Sequence, residues 1–192
     1  MSELNTKVIT GKVRFSYANV WEPKSINESK PKYSISLLIP KSDEKTLKDI
    51  RQAIENAKKI GVSVFGGKIP PNVKTPLRDG DIEKPDDEIY AGCYFVNANS
   101  GNKPGILDKY KNPITNPEDF YSGCYGYASI NFYAFNTNGN KGIACGLNNL
   151  MKTDEGEVLG GKLSAELDFE SVEAASIDTD MDGLLWKHYQ LI

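Results

Sequence analysis

Hydrophobic and polar positions alternate along much of the chain, which divides it into short strands. Residues 6–21 are rich in β-branched and aromatic side chains and predict a long first strand that bends at Gly11. Residues 32–39 alternate apolar and serine positions from Tyr33 onward and predict a second strand. Further strands are predicted over 92–99, near 105–115, and over 124–135 and 141–150, where the last two form a hairpin.

One segment places its apolar positions at helical spacing instead. These positions predict a helix that packs one face on the body of the protein. Ser42 is the predicted N-cap, and Gly61 is the predicted stop. The apolar stripe comprises Leu47, Ile50, Ile54, Ala57 and Ile60.

Irregular segments complete the pattern. Residues 66–91 carry several glycines and prolines and predict a long loop, while Asn116 and Pro117 predict a single capped helical turn. Several strands, one sizeable helix and many turns indicate a single closed or nearly closed β-barrel with additions. We place this domain at residues 1–169 and expect residues 170–192 to be a flexible acidic tail.

Composition excludes several classes of protein. The 192 residues suit one domain with a real core, and no apolar run approaches the roughly 20 residues that cross a bilayer. Three separated cysteines and one histidine suggest neither a disulfide framework nor a zinc site, so we expect a reducing, intracellular setting. Triad-type hydrolysis would depend on His188 alone. We therefore expect a protein without catalytic residues or a cofactor.

The net charge of −3 hides an asymmetry along the chain. Residues 1–152 hold 21 Lys and Arg against 16 Asp and Glu, whereas residues 153–192 hold 2 against 10. A basic body with an acidic tail suggests a polyanionic partner and a tail that competes with it or recruits other proteins. A soluble domain with a solvating tail would show the same asymmetry.

The strand over residues 124–135 has an unusual outer face. Its inner positions are small or apolar, whereas the other face is half aromatic and half polar. Flat rings beside hydrogen-bonding groups suit unpaired nucleic acid bases, although the same tyrosines could pack under a helix or loop. The predicted stacking residues are Tyr125, Tyr127, Tyr133 and Phe135, while Phe15, Tyr17 and Trp21 could be either core or platform.

Basic residues shift the balance towards a nucleic acid. Scattered around an aromatic face, such residues would neutralise phosphates while the rings hold bases. The predicted phosphate contacts are Lys12, Arg14, Lys32, Lys74, Arg78 and Lys141. The acidic run over residues 79–88 invites a second interpretation as a Mg²⁺ site of a nuclease. It does not match a calcium loop and has no general base beside it, so a solvated turn is the favoured interpretation.

Several separated segments resemble one family of phage and prophage proteins. They are Val13-Arg-Phe-Ser-Tyr-Ala-Asn-Val-Trp-Glu-Pro23, Pro31-Lys-Tyr-Ser-Ile-Ser-Leu-Leu-Ile-Pro-Lys41, Lys74-Thr-Pro-Leu-Arg-Asp-Gly-Asp81, Phe120-Tyr-Ser-Gly-Cys-Tyr-Gly126 and Asn138-Gly-Asn-Lys-Gly-Ile-Ala-Cys-Gly-Leu147. That family was long carried as a domain of unknown function. It is similar to phage single-stranded DNA-binding proteins with an OB fold, and the resemblance runs from about Thr6 to Phe169.

The resemblance implies an OB barrel with an inserted helix that coats single-stranded DNA during phage replication and recombination. It also implies cooperative or dense assembly on DNA, and an acidic C-terminal arm for phage or host replication proteins. It supplies no catalytic residues. Two rival functions remain open: a phage interaction or carbohydrate-binding β-barrel that uses the same aromatic face, and a metal-dependent nuclease that uses residues 79–88.

Overall fold

The computed structural model describes residues 3–25, 27–160 and Val172, so almost all of the predicted acidic tail lies outside the described residues. The mainly β architecture predicted from the alternation is confirmed. In chain order the elements are β1 (Lys7–Ile9), β2 (Val13–Lys24), β3 (Lys32–Pro40), α1 (Glu44–Ile60), β4 (Arg78–Asp79), α2 (Gly80–Glu83), β5 (Cys93–Ser100), β6 (Gly105–Leu107), β7 (Tyr125–Thr137) and β8 (Asn140–Asp154).

Five of these strands close into a barrel. β2 pairs with β3, β3 with β5, and β8 with β7, all antiparallel, while β7 returns to β2 and closes the ring. The remaining pair, β5 with β8, is parallel. A five-stranded barrel with this order is an OB fold, as expected. The helix α1 follows the second barrel strand, β3.

The first barrel strand is broken where the sequence predicts a bend. β1 pairs with the middle of β7 through Ile9 and Ser129, and β2 pairs with its start through Val13 and Gly126. Between the two strands, the Gly11 amide donates a 2.8 Å hydrogen bond to the Thr46 hydroxyl. The break therefore lies directly on the start of α1.

The barrel interior and the apolar face of α1 form one core. On β7 the inward positions Ala128, Ile130 and Phe132 are buried, as the alternation predicts. The helix adds Leu47 and Ile54 to the same cluster. Packing of this apolar stripe on the barrel holds the helix in place.

Two details of the helix prediction are wrong. The N-cap is Asp43, whose carboxylate accepts the Thr46 amide at 3.1 Å, and not Ser42. Ile60 is exposed rather than buried. The buried stripe runs through Leu47, Ile50, Ile54 and Ala57, and its next position is residue 61. Because each residue turns the helix by about 100°, the Ile60 side chain points about 100° away from the stripe.

The predicted long loop over residues 66–91 contains short regular elements. Arg78 and Asp79 pair with β5, the single-turn helix α2 follows, and Glu88–Tyr90 form a 3-10 turn. Asn116 caps a further 3-10 turn that starts at Pro117, as predicted. Within residues 3–25 and 27–160, no helix combines the length and apolar character that a membrane crossing requires.

Candidate nucleic-acid interface

The outer faces of β2, β3 and β5 form a groove of about 390 Å³. Its walls combine basic, aromatic, amide and hydroxyl side chains. Among residues 3–25 and 27–160, five cations line the groove and no acidic residue does: the cations are Lys24, Lys30, Lys32, Arg78 and Lys84. The field of this groove therefore favours a polyanion.

Two of the cations lie directly opposite each other. Lys24 of β2 is the cross-strand partner of Lys32 on β3, and Lys30 belongs to the turn that joins the two strands. Like charges in directly opposed positions destabilise a sheet. A phosphate bound between the two lysines would attract both ammonium groups and offset this repulsion.

An aromatic pair lies under the other side of the groove. Tyr90 and Phe95 are buried and meet edge to face, with ring centroids 5.0 Å apart. The Arg78 guanidinium lies 5.0 Å from the Phe95 centroid and pairs with Glu83. Burial raises the pKa of Tyr90. Its hydroxyl, like that of any tyrosine at neutral pH, can donate a hydrogen bond.

Amide and hydroxyl groups line the groove between these two sides. Ser34 on β3 pairs with Asn19 on β2 and with Asn99 on β5. Two residues further along β3, Ser36 pairs with Asn97 on β5. The Asn19 amide donates to the Ser34 hydroxyl at 3.3 Å. Such groups can both donate and accept hydrogen bonds, as the edges of bases require.

The three aromatic residues of β2 that the sequence leaves undecided have different positions. Phe15 is fully buried in the core. Trp21 packs against the core and donates its indole N–H to the Phe120 carbonyl at 3.0 Å. Tyr17, in contrast, is 64% exposed and lines the groove.

The predicted site residues fall into three groups by position, and the first group lines the groove. Of the ten, Lys32 and Arg78 line it. The groove members Lys24, Lys30 and Lys84 were not among the predicted contacts. The clustering of Lys24, Lys30 and Lys32 around one turn is the sequence signal that could have identified this site.

A second group lies towards the end of β7. Tyr133 is 42% exposed, and Phe135 lies against Gly142 on β8, where an added Cβ would stand 2.8 Å from its ring. The backbone of Lys74 forms a bridge to Gly142. Lys141 donates its ammonium N–H to the Phe65 carbonyl at 2.7 Å.

The third group lies at the start of β7, where most members already have internal partners. Lys12 forms a 2.6 Å ion pair with Asp154. The Arg14 guanidinium lies 5.3 Å from the Tyr125 ring and donates to two backbone carbonyls, one before β7 and one after β8. Tyr127 is 38% exposed.

The acidic run over residues 79–88 is engaged in local structure. Asp79 and Asp81 both pair with Lys41, at 2.8 and 2.7 Å, and Asp81 also accepts the Gly92 amide. The Lys41 hydrogen bond lowers the pKa of Asp81. These contacts tie β4 and α2 to the residue after β3 and the residue before β5, which fixes the position of Arg78 beside the groove.

Comparisons with known proteins agree with this architecture. The family described as "Enterobacter phage Enc34, ssDNA-binding protein" matches residues 6–181. A relative named putative protein p50, from Acyrthosiphon pisum secondary endosymbiont phage 1, is 28% identical over 182 residues, which cover 88% of this chain and 95% of the relative.

Solved structures show the same fold. The single-stranded DNA-binding protein from bacteriophage Enc34, in complex with ssDNA, matches at a TM-score of 0.72 and 26% identity, over 81% of this chain and 90% of that one. Phage T7 gp2.5, a single-stranded DNA-binding protein, matches at 0.55 and 16% identity, over 88% of this chain and 98% of that one. By the extent of the family match, this chain belongs to the Enterobacter phage Enc34 ssDNA-binding protein family.

Proposed function

We propose that this protein is a non-catalytic single-stranded DNA-binding protein, largely independent of sequence, that uses the groove on β2, β3 and β5. The observation that carries the proposal is the groove lining, to which the described part of the chain contributes five cations and no acidic side chain. This face of an OB barrel is also the one that oligonucleotides generally occupy. Membership of the phage family supports the same function.

Binding would combine electrostatics with stacking. Lys24, Lys30 and Lys32 at one side, and Arg78 with Lys84 at the other, neutralise phosphates and release counterions. Exposed rings then stack on bases at about 1–3 kcal/mol each, whatever the base. The amides and hydroxyls between them bind base edges.

We also retain the end of β7 as a second part of the DNA path. Asn99 in the groove is adjacent to Gly146 on β8, which is adjacent to Asn131 on β7. Two strand spacings, or about 10 Å, therefore separate the groove from β7. The exposed Tyr133 on β7 would receive the next bases.

The proposed role is to coat and protect single-stranded DNA during phage DNA replication and recombination in the host cytoplasm. Copies of the protein would assemble along the strand. The acidic C-terminal segment would contact phage or host replication proteins and compete with DNA for the basic body.

A fluorescence titration with matched single-stranded and duplex oligonucleotides tests the proposal, at two salt concentrations and with or without Mg²⁺. We expect salt-sensitive binding to the single strand and intact DNA afterwards. Failure to bind single strands, or a flat salt response, would refute the proposed function. Cleavage that requires Mg²⁺ and disappears in Asp81→Ala would establish the nuclease, and binding to neutral glycans alone would establish the carbohydrate module.

A further inference from the structure

We propose that Tyr17 is the main base-stacking residue of the groove and that strained backbone holds its ring there. The inference rests on the proposed function, because it names the residue that receives a nucleobase. The sequence leaves Tyr17 undecided between core and platform, and nothing in its local pattern distinguishes it from Phe15 or Trp21.

The backbone at Tyr17 is in a conformation that tyrosine rarely adopts. Its φ is +45°, in the left-handed region that favours glycine and asparagine. The strand pairing explains how this arises. Ser16 faces Ser36 and Asn19 faces Ser34, so Tyr17 and Ala18 together oppose a single residue of β3. This is a β-bulge, which redirects side chains.

Contacts on both sides of the bulge maintain the strain. The Asn19 side chain donates to the Tyr17 carbonyl at 3.2 Å, and the Ala18 amide donates to the Ser122 hydroxyl at 2.9 Å. Ala18 packs against the core, whereas Tyr17 faces outward. Strained residues that the surroundings fix in this way cluster at ligand-binding sites.

The ring of Tyr17 is available to a ligand. It is the most exposed aromatic side chain of the groove, and within the described ranges no aromatic ring or cation stacks on it. It shares the groove lining with the lysines around the β2–β3 turn and with the amide of Asn19. A base stacked on it would therefore have phosphate and edge contacts within the same groove.

Substitutions at Tyr17 separate stacking from strain. In Tyr17→Ala and Tyr17→Gly we expect single-stranded DNA affinity to fall about tenfold or more, because the stacking surface is removed. Tyr17→Phe should bind like the unmodified protein, since it keeps the ring. In urea denaturation, Tyr17→Gly should have a higher midpoint than Tyr17→Ala, because only glycine accepts this φ without strain.

At an ordinary strand position the order of the two midpoints is reversed, because glycine weakens strands. Tyr110→Ala is the matched control for stacking, since Tyr110 is 74% exposed and lies outside the groove. Lys111→Gly is the control for strain, since Lys111 has a φ of +67° and should gain stability without change in affinity.

Three outcomes would be decisive. Unchanged affinity in both Tyr17→Ala and Tyr17→Gly overturns the stacking role, even though the protein still binds DNA. A lower midpoint for Tyr17→Gly than for Tyr17→Ala overturns the claim of strain. If the unmodified protein does not bind single-stranded DNA, the proposed function fails as well.

Discussion

Lys24 and Lys32 illustrate how single residues of this protein favour binding over stability. Their side chains repel each other across β2 and β3 in the free protein, and Lys30 adds a third charge at the same turn. Like charges that face each other directly across two strands destabilise a sheet. A bound phosphate would offset this repulsion, which agrees with the proposed function.

Replacement of one of these lysines should affect binding and salt dependence together. We expect Lys32→Gln to weaken single-stranded DNA binding and to reduce the slope of log K against log salt by about 0.7, the loss of one phosphate contact. Titrations at four salt concentrations would measure the slope. Lys48→Gln on the exposed side of α1 is the matched control, and an equal effect there would argue against a specific role for Lys32.

Glu83 should compete with DNA phosphates for the Arg78 guanidinium. Its carboxylate pairs with the Arg78 guanidinium, which otherwise faces the groove above Phe95. We expect Glu83→Gln to raise affinity at low salt, since a phosphate no longer has to displace a carboxylate, and Arg78→Gln to lower it. Equilibrium titrations of both variants would measure this, and lower affinity in Glu83→Gln would contradict it.

The sequence predicted some groove residues and could not predict others. Lys32 and Arg78 stand out by charge alone. Tyr17 does not, because its exposure depends on a bulge that appears only once the register of β2 against β3 is known. The repulsion between Lys24 and Lys32 likewise depends on register, since seven residues separate them in sequence.

Among the elements, α1 and the break between β1 and β2 depend on each other. Asp43 caps the helix, and a Cβ at Gly11 would stand 2.4 Å from the Asp43 carboxylate. The helix N-terminus therefore needs both an acidic cap and a residue without a side chain opposite it.

Loss of this cap should destabilise the whole domain, because α1 packs on the barrel core. We expect Asp43→Ala to lower the free energy of unfolding by about 1 kcal/mol. Urea denaturation followed by circular dichroism would measure the change. Ser42→Ala is the matched control and should be nearly neutral, because Ser42 is exposed and precedes the cap. Equal losses in the two variants would contradict the assignment.

The attachment of β4 and α2 to β5 should be sensitive to acid. The Lys41 hydrogen bond lowers the pKa of Asp81 in the folded protein, so its contribution is complete above the unfolded carboxyl pKa of about 3.9. The contribution is lost as the pH falls through the lower, folded pKa. Asp81→Asn should therefore be less stable than the unmodified protein at pH 7, and the difference should shrink towards pH 2.5. A difference of equal size at both pH values would contradict this.

Among the strands and helices, sequence periodicity predicted those elements that pack a regular apolar face on the core. The inward positions of β7 and the stripe of α1 follow the periods of 2 and 3.6 because they face one common core. β4, α2 and the 3-10 turn at Glu88–Tyr90 were missed, since ion pairs and Asp caps hold these short elements instead of an apolar stripe.

Across the whole molecule, charge is divided between the groove and the C-terminal segment. Residues 161–192 carry seven acidic and two basic side chains. We expect a chain that ends at Gly160 to bind single-stranded DNA more tightly at low salt, because the competing anion is removed. The difference should narrow as salt increases. Competition titrations of both chains would measure it, and weaker binding by the shorter chain would instead assign that segment a direct part in DNA contact.

The overall architecture was predictable because strand patterns and the family resemblance agreed on a small OB barrel. The side of the barrel that carries the groove was not predictable, because the composition of β7 is conspicuous in the sequence whereas the groove draws a few residues from each of three strands. The predicted contacts on β7 stay predictions.

The order in which the strands are synthesised delays closure of the barrel. The groove strands β2, β3 and β5 are complete at Ser100, yet their inner faces are covered only when β7 and β8 arrive, and Val13 then pairs with Gly126. At roughly 5–20 residues per second, several seconds separate the two events on the ribosome. During that interval the apolar inner faces of β2, β3 and β5 lack their packing partners on β7 and β8. We expect the nascent chain to bind DNA only once β8 has been synthesised, so fragments that end before β7 should aggregate rather than bind weakly.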